Sequence, residues 1–440
     1  PGGTVSRIVN REVKEDEDLY KDLQASFIIS DSPIPRLLDN LSVRLATKKS
    51  LLDNYTALHM FVVTLRCNQN CVYCQASSRV CDKKGFDMSE EDLLKSIDLM
   101  YKSPYPHVTM EFQGGEPTLV SDLIMKGILY SEEKKLLNDK KVTYVICTNS
   151  VNIPEKLLEF CANYNVVFST SLDGPEWLHN INRGKTDSYE KVIAGIKRVR
   201  EAIGDYKVSA LMTTSELSLN YPKEIVDAYR ANGFNSMFIR SLNPYGLAKE
   251  NEDWPLYFDR FIDFYKEALE YIIEINKSGE TFIEELTTMI LKKILTPFPI
   301  GFVDLQSPSG IVNGVVVYNY DGYVYASDES RMLAENGDYT FRLGKITDSY
   351  EDIFYGKRVQ ELSRVWATEY VAGCSDCAYQ SVCGADPVRN YSTQGDEYGY
   401  RPESTLCKKN KAIIEHVFTL LDTRREELMP IFQRWITGVE

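Results

Sequence analysis

Histidine is scarce in this sequence of 440 residues, and long apolar runs are missing from it. The four histidines are His59, His107, His179 and His416, and no two of them have the spacing that places two metal ligands on one helix face. No apolar stretch approaches the roughly 20 residues that a membrane-spanning helix needs. We therefore expect neither a histidine-rich metal site nor a membrane partner.

Positive charge is also in short supply. The chain has 50 Lys and Arg against 64 Asp and Glu, a formal net charge of −14. Such a chain repels the phosphate backbone of nucleic acids and the surface of anionic lipids, so we expect no nucleic-acid partner. Ten cysteines without a signal peptide at the start predict a reducing, cytoplasmic compartment.

Three of the cysteines, Cys67, Cys71 and Cys74, form a C-x3-C-x2-C group directly after the apolar, β-rich residues 58–65. Three thiolates cannot complete the four-ligand shell of structural zinc. They can bind three irons of a four-iron cluster and leave the fourth iron open. This group therefore predicts an iron–sulfur centre that binds a further ligand.

A second group of cysteines lies near the end of the chain. Cys374, Cys377 and Cys383 follow a C-x2-C-x5-C pattern, and Cys407 comes later. Four thiolates fit either a second cluster or a zinc ion. We expect the remaining three cysteines to be inert, small apolar residues; they are Cys81, Cys147 and Cys161.

Strand-like and helix-like segments alternate from residue 57 onwards, which predicts a parallel α/β fold. Predicted strands cover residues 58–65, 108–113, 142–147, 166–172, 208–213 and 234–240. Six such units make a partial barrel, whose chemistry is expected at the carboxyl ends of the strands. A helical insert follows over Trp254 to Lys277 and about 282–295, and then a hairpin turns at Asp321-Gly322.

Polar and glycine-rich motifs stand where the predicted strands end. Gly114-Gly115-Glu116-Pro117 follows the second strand, Thr148-Asn149-Ser150 the third and Asp173-Gly174-Pro175 the fourth. Glycines at such a position allow the backbone to approach a ligand closely. The motifs predict a ligand site along this edge of the sheet.

The first cysteine group, followed by the Gly-Gly-Glu-Pro loop, resembles the signature of the radical S-adenosylmethionine (SAM) enzymes. The resemblance implies an α/β fold, a partial (β/α)6 TIM barrel, with a [4Fe–4S] cluster whose open iron binds SAM. It also implies reductive cleavage of SAM to a 5′-deoxyadenosyl radical that abstracts hydrogen from a substrate. A one-electron donor such as flavodoxin or ferredoxin would then be a partner.

The same resemblance implies a set of residues that contact SAM. Ser171 and Arg183 would hold its carboxylate, since the arginine fork suits a carboxylate. Tyr73 would lie beside the adenine, and Thr148 and Asn149 would face the ribose. The loop that would bind the amino group of SAM consists of Gln113, Gly114, Gly115 and Glu116.

The second cysteine group resembles the SPASM domain, which carries auxiliary clusters. In that pattern a further cysteine and cysteines of the preceding hairpin bind one more cluster. Here the equivalent positions are Pro387, Ser309, Asn313 and Ser327. The resemblance therefore implies one auxiliary [4Fe–4S] cluster, held by Cys374, Cys377, Cys383 and Cys407, with zinc as the alternative.

Four stretches look most similar to the maturases of His-Xaa-Ser repeat peptide systems, namely residues 58–67, 111–117, 318–322 and 383–387. That similarity implies a ribosomally made precursor peptide as the partner and a crosslinked, epimerised or oxidised residue as the product. Asp328 and Glu329 adjoin a lost ligand position and are the candidate catalytic acids. The alternatives are an anaerobic sulfatase-maturing-type enzyme and a non-enzymatic iron–sulfur or zinc scaffold.

The sequence suggests four regions. Residues 1–56 form an N-terminal extension that is a candidate remnant of a leader-peptide-binding module. Residues 57–300 form the partial barrel with its helical insert, 301–407 the SPASM-like domain and 408–440 a C-terminal helical segment.

Overall fold

The computed structural model describes residues 7, 8, 10–26, 28–31, 33–251 and 253–438. It divides into one unit of residues 1–53 with 297–299, and a second unit that contains the rest of the chain. The first unit contains helices α1 (Asp18–Ala25) and α2 (Pro35–Lys48). No helix in these described ranges is long and apolar enough to span a bilayer.

One mixed sheet dominates the second unit. Its strands run in the order β12-β11-β10-β1-β4-β5-β6-β7, and the pairs from β10 through β1 to β7 are parallel. The strands of the chain are β1 (Leu58–Thr64), β2 (Arg66–Cys67), β3 (Arg79–Val80), β4 (His107–Gly114), β5 (Lys141–Thr148), β6 (Val166–Ser171), β7 (Val208–Leu211), β8 (Ser236–Met237), β9 (Ile283–Glu284), β10 (Val315–Asn319), β11 (Tyr323–Tyr325) and β12 (Arg342–Lys345).

Helices connect and cover these strands. They are α3 (Glu90–Lys102), α4 (Ser121–Lys135), α5 (Glu155–Cys161), α6 (Glu176–Arg183), α7 (Ser188–Ile203), α8 (Pro222–Ala231), α9 (Ala248–Asn251), α10 (Trp254–Lys277), α11 (Glu285–Leu295), α12 (Asp328–Ala334), α13 (Tyr350–Phe354), α14 (Lys357–Leu362), α15 (Pro387–Gln394), α16 (Thr405–Thr423) and α17 (Arg425–Thr437). Helix α3 begins with a side-chain cap, since Ser89 accepts a hydrogen bond from the Asp92 amide.

The parallel strands present two different faces because side chains alternate along a strand. In β4, Val108, Met110 and Phe112 are buried in the apolar core. Each such side chain contributes roughly 1.5–3 kcal/mol through its removal from water. Glu111 and Gln113 alternate with them and face the opposite side, which is the interior of the partial barrel. The fold thus buries its apolar face and keeps a polar interior.

The fold class is confirmed, but the sixth predicted strand, 234–240, is reduced to two residues. Ser236–Met237 pairs with β9, outside the main sheet. A buried carboxylate accounts for the interruption, because Glu284 accepts the Ile239 amide at 3.1 Å and also caps helix α11. The main sheet therefore ends at β7.

The hairpin β10–β11 continues the barrel sheet. Val315 to Asn319 pair in parallel with Leu58 to Val62, so the sheet runs across the boundary predicted at 300/301. All five residues of β10 are buried. A second apolar core lies where helices α10, α11, α16 and α17 pack together.

Candidate active site

The three-cysteine loop begins where β1 ends, and its neighbours hold it through backbone contacts. The Val72 amide donates to the Asn182 carbonyl at 3.0 Å, and the Leu247 amide donates to the Cys74 carbonyl at 3.0 Å. A side chain at Gly184 would collide with the Asn70 carbonyl, so glycine permits α6 to end against this loop. The loop is therefore fixed by α6 on one side and by residues 246–247 on the other.

Nitrogen donors approach the sulfur atoms of this loop. Arg183 Nη1 lies 3.8 Å from Cys71 Sγ, and Asn149 Nδ2 lies 4.0 Å from Cys67 Sγ. The Gln69 amide also donates to Cys67 Sγ, at 3.4 Å. Burial raises the pKa of the Cys67 thiol to about 12 and raises that of Cys71. Donors of this kind stabilise thiolates bound to iron.

A fourth cysteine lies beside the loop. The Cys81 thiol donates to the backbone carbonyl of Cys67 at 3.1 Å, and β3 places the adjacent Val80 in register with Cys67. The sequence pattern alone gave Cys81 no place near the first cysteine group. Its thiol is engaged with the backbone in this arrangement.

The two glycines of the Gly-Gly-Glu-Pro loop serve the packing of two strand ends. A Cβ at Gly114 would lie 1.8 Å from the Thr64 carbonyl oxygen, and one at Gly115 would lie 2.5 Å from the carbonyl oxygens of Leu65 and Arg66. We expected these glycines to let the backbone approach a ligand closely, and here they let the end of β4 approach the end of β1. The Gly115 amide donates to the Thr64 carbonyl at 2.9 Å.

Glu116, predicted to contact SAM, is fully buried and engaged with protein donors. Its carboxylate accepts the Asn149 amide at 2.8 Å, the Thr148 hydroxyl at 2.7 Å, and the amide and hydroxyl of Thr118 at 3.0 and 2.6 Å. We therefore assign Glu116 to joining the ends of β4 and β5. Thr148 and Asn149, predicted to face the ribose, lie at this same edge, with the Thr148 hydroxyl turned to Glu116.

Arg183, predicted to bind the SAM carboxylate, forms a bidentate pair with Asp173. Nε and Nη2 lie 2.8 Å from the two carboxylate oxygens, and the guanidinium is 7% exposed. Burial alone would raise the pKa of Asp173, but the charge of Arg183 outweighs it and lowers that pKa. The fork is thus occupied by the protein, and Nη1 remains directed at Cys71.

Tyr73, predicted to lie beside the adenine, is buried against the same pair. Its hydroxyl donates to Asp173 at 2.8 Å, and Arg183 lies 5.5 Å from the ring centre. Burial raises the pKa of Tyr73 well above its ordinary value. The three residues therefore form one rigid support behind Cys71.

The barrel interior holds a polar cluster. Gln113 donates to the Glu111 carboxylate at 2.5 Å, and the Cys147 thiol also hydrogen-bonds to it. Ser169 and Ser171 lie on the same face of β6, with Ser169 in register with Cys147. Burial raises the pKa of Glu111 and of Cys147. Ser171, predicted to bind the SAM carboxylate, thus stands in the barrel interior, one strand away from this cluster.

Asp328 and Glu329, the candidate catalytic acids, are the first two residues of helix α12. The charge of Asp328 contributes to raising the pKa of Glu111 and of Cys147. Arg331 donates to Asp328 through Nη2 at 2.7 Å and through Nε at 3.2 Å. The Asp328 carboxylate is therefore held by a guanidinium of its own helix.

Glu329 lines a charged cleft. Burial, followed by the charges of Asp304, Asp328 and Asp386, raises the pKa of Glu329 to about 7. Besides Glu329, the charged residues that line the cleft are Arg240, Asp304, Asp386, Arg389 and Lys409. The cleft brings together the end of the barrel, α12 and the cysteine-rich segment.

Comparison with known sequence families decides what this site belongs to. The radical SAM superfamily matches residues 61–229, which span the three-cysteine loop and strands β4 to β7. Residues 61–229 of this chain are a radical SAM domain. SAM and a [4Fe–4S] cluster are accordingly its cofactors, and the residues that would hold the cluster are Cys67, Cys71 and Cys74.

Individual relatives agree with this membership. A cysteine-type anaerobic sulfatase-maturating enzyme from Clostridium perfringens is 23% identical over 368 residues, which cover 81% of this chain and 94% of the relative. The structure of native anSMEcpe with bound AdoMet has a TM-score of 0.67 at 19% identity and covers 84% of this chain and 100% of that one. Streptococcus suis SuiB bound to precursor peptide SuiA has a TM-score of 0.57 at 15% identity, covering 92% and 87%.

The second cysteine group of this radical SAM enzyme lies in a SPASM-like segment. The Cys377 amide donates to the Cys374 carbonyl at 3.0 Å, and the Cys383 amide donates to the Tyr379 carbonyl at 2.9 Å. Cys407 joins them from the first turn of α16, where its amide donates to the Ser404 hydroxyl at 3.2 Å. Burial raises the pKa of Cys383 and Cys407, and the charges of other thiols in the group raise each of them further.

Basic side chains surround this second group. Lys293 donates to the Cys383 carbonyl at 3.1 Å, and the charges of Arg401 and Lys411 act on Cys407. Within the described ranges no three His, Cys, Asp or Glu side chains are placed to bind one metal ion. An iron–sulfur cluster binds each thiolate at a different iron, so its ligands are spaced more widely than those of a single ion. The donor set fits an auxiliary cluster.

The positions that carry cysteine in the wider SPASM pattern have structural roles here. Asn313 Nδ2 donates to the Ser309 carbonyl at 3.2 Å, and both residues are buried. Ser327 caps helix α12 by accepting the Ser330 amide at 3.2 Å, and Pro387 stands in the first turn of α15. The chain has thus filled these positions with hydrogen-bonding or helix-starting residues.

Four residues of the site were missed by the sequence interpretation, namely Asp173, Glu111, Cys147 and Arg331. Asp173 was noted only as part of a turn, although a carboxylate ten residues before Arg183 on a strand-to-helix turn was a usable signal. Glu111 and Cys147 carry a weaker one, because each stands on the polar, alternating face of its strand. Arg331 gave no signal, since its partner across the fold is a backbone carbonyl at Ala76.

Proposed function

We propose that this radical SAM enzyme modifies a ribosomally made peptide by removing hydrogen from one residue that lies at the mouth of the barrel. The observation that carries the proposal is the polar cluster on the inner face of the barrel strands, where Gln113 donates to the Glu111 carboxylate at 2.5 Å and Cys147 stands in register with Ser169. A carboxylate in such a position can accept a proton from a substrate. The fold likeness to SuiB bound to precursor peptide SuiA gives further support.

When bound together, the cluster and SAM supply a 5′-deoxyadenosyl radical, which takes a hydrogen atom from the substrate. The chain's own part is to place the substrate and to accept a proton. Removal of a hydrogen atom leaves a carbon-centred radical on the substrate. A two-electron oxidation of the substrate is complete only after this radical has also lost one electron and one proton. Cys374, Cys377, Cys383 and Cys407 would hold the auxiliary cluster, which supplies one-electron chemistry when bound.

Asp328 is the better candidate for the proton acceptor, and Glu329 is the second. Arg331 donates to the Asp328 carboxylate at 2.7 Å and connects it to the cysteine loop through the Ala76 carbonyl, at 2.9 Å. Glu329 instead lines the charged cleft.

Two experiments test the proposal. The anaerobically reconstituted protein is expected to release 5′-deoxyadenosine from SAM with dithionite, and Cys67→Ala is expected to abolish that release. Co-expression with a short peptide encoded beside its gene, followed by mass spectrometry, then shows the modification. A loss of two daltons indicates a crosslink or an oxidation, and altered stereochemistry at unchanged mass indicates epimerisation. No modified peptide in spite of active SAM cleavage would overturn the proposal.

A sulfatase-maturing activity is the second candidate, because a sulfatase-maturating enzyme is similar over 81% of this chain. The structural roles of Ser309, Asn313 and Ser327 count against it, since these positions leave no ligands for a second auxiliary cluster. Iron counting separates the two: about eight irons per chain correspond to two clusters, and about twelve to three. A sulfatase-derived cysteine peptide, offered with SAM and dithionite, is expected to remain unmodified. The likeness to maturases of His-Xaa-Ser systems and the flavodoxin- or ferredoxin-type donor stay predictions.

A further inference from the structure

Arg331 is a fully buried cation that joins two parts of the active site. Its side chain is 1% exposed, on helix α12. Nη2 and Nε donate to the Asp328 carboxylate at 2.7 and 3.2 Å, and Nη1 donates to the Ala76 carbonyl at 2.9 Å. Ala76 lies two residues after Cys74, so one guanidinium connects the candidate proton acceptor to the cluster-binding loop.

A second contact joins the same two elements. Arg79, three residues after Ala76, lies 3.6 Å from the carboxylate of Glu335, which follows the last residue of α12. The Tyr320 hydroxyl donates to the same carboxylate at 3.3 Å. Helix α12 is therefore attached to the segment that follows the cysteine loop at two points, through Arg331 in its middle and through Glu335 just after its last residue.

We infer that Arg331 is a positioning residue that fixes the Asp328 carboxylate relative to the cluster-binding loop. The inference rests on the proposed function, in which Asp328 accepts the substrate proton. Proton transfer requires the acceptor to lie within hydrogen-bond reach of the reacting atom. The substrate radical forms where SAM is bound, beside the cysteine loop, so an acceptor tied to that loop keeps its distance from the reacting carbon.

The energetics favour a fixed arrangement. Burial alone would lower the pKa of Arg331, but the charge and hydrogen bonds of Asp328 outweigh it and raise that pKa. Arg331 therefore stays charged, and a buried charge whose partner is removed is strongly unfavourable. Arg331 contacts the Asp328 carboxylate directly, and the charge of Asp328 contributes to raising the pKa of Glu111, Cys147 and Glu329.

The first test uses the protein without cofactors. In Arg331→Gln, backbone hydrogen exchange is expected to increase in residues 74–80 and in residues 328–334 together, because both lose the shared guanidinium. Arg331→Lys keeps one cationic donor and is expected to lie between the wild type and Arg331→Gln. Arg358→Gln is the matched control, since Arg358 pairs with Glu397 away from these segments, and it is expected to leave both at the wild-type rate.

The second test measures coupling in the reconstituted enzyme with the co-expressed peptide. The ratio of 5′-deoxyadenosine released to peptide modified is expected to rise at least about tenfold in Asp328→Asn and Arg331→Gln, since a positioned proton acceptor contributes factors of this size or larger. Arg331→Lys is expected to restore most of the coupling, and Arg358→Gln to keep the wild-type ratio.

Two results would overturn the inference, and they differ. If Asp328→Asn uncouples the enzyme while Arg331→Gln keeps the wild-type ratio and exchange, Asp328 is the acceptor and Arg331 does not position it. If Asp328→Asn keeps the wild-type ratio, the acceptor role assigned under the proposed function fails, and the positioning role fails with it.

Discussion

Replacing Gly115 with alanine tests what the Gly-Gly-Glu-Pro loop does in this protein. A Cβ at this position would lie 2.5 Å from the carbonyl oxygens of Leu65 and Arg66 and 2.8 Å from the Arg66 carbonyl carbon. These atoms are backbone atoms of the segment that leads into Cys67, so no side-chain rotation relieves the contact. The strand ends must move apart, and the cysteine loop must move with them.

The expected cost follows from these contacts. Forcing a methyl group into a filled interior costs about 1–3 kcal/mol. The amides of Gly115 and Glu116 also donate to the carbonyls of Thr64 and Arg66 at 2.9 and 2.8 Å, and weakening them adds about 1 kcal/mol. We therefore expect Gly115→Ala to lower the free energy of unfolding by about 2–4 kcal/mol.

Urea unfolding of the cofactor-free protein measures this loss, and iron analysis after reconstitution measures its effect on the site. The three-cysteine loop is expected to incorporate less iron, while the second cysteine group keeps its own. Gly85→Ala is the control for backbone strain without a collision, because its Cβ would meet nothing within 4 Å and only its φ of +83° favours glycine. If Gly115→Ala unfolds like the wild type and loses only SAM affinity, the loop serves ligand approach and our packing explanation is refuted.

Three further predictions concern the surroundings of the cluster. Cys81→Ser is expected to keep both the iron content and SAM cleavage, because the Cys81 thiol bonds to a backbone carbonyl; loss of iron from this variant would show that Cys81 is a ligand. Asp173→Asn is expected to lower the free energy of unfolding by about 3–5 kcal/mol, since it leaves the Arg183 charge buried and poorly paired. Asp187→Asn breaks an exposed pair with Lys191 and is expected to leave the unfolding curve nearly unchanged; equal costs in urea unfolding would contradict this. Burial lowers the pKa of His179 to about 4 from an ordinary 6.5. The stability that the neutral form contributes is therefore complete above pH 6.5 and is lost as the pH falls toward 4, by about 3 kcal/mol in total. The unfolding free energy of His179→Gln is expected to fall less steeply than that of the wild type over this interval, and parallel curves would argue against this.

The parts of the site that follow from local spacing were predictable from the sequence. The C-x3-C-x2-C group placed its cysteines directly after the first strand, and Ser89 marked the start of α3 through a cap that involves residues close in the chain. The alternation of Val108, Met110 and Phe112 with polar residues indicated a strand with one buried face. Each of these signals depends on neighbours within a few residues.

The parts that depend on distant partners were not predictable. Arg331 binds a carbonyl 255 residues away in the chain, and no pattern in a single sequence reports such a contact. The sixth strand was predicted from its apolar residues, but the buried carboxylate of Glu284 captures the Ile239 amide that would have joined the ladder. Arg183 was expected from the family resemblance to bind the SAM carboxylate, whereas its partner here is Asp173, only ten residues earlier, which the sequence did signal.

The parallel pairing of β10 with β1 has a consequence for dissecting this enzyme. A fragment that stopped near residue 300 would leave the Leu58–Val62 backbone without its partner on one side, and an unpaired strand edge invites association with other chains. The catalytic half is therefore expected to aggregate when it is expressed without the hairpin. Chimeras between relatives need to be spliced after β12, so that the edge of the barrel travels with the segment that seals it.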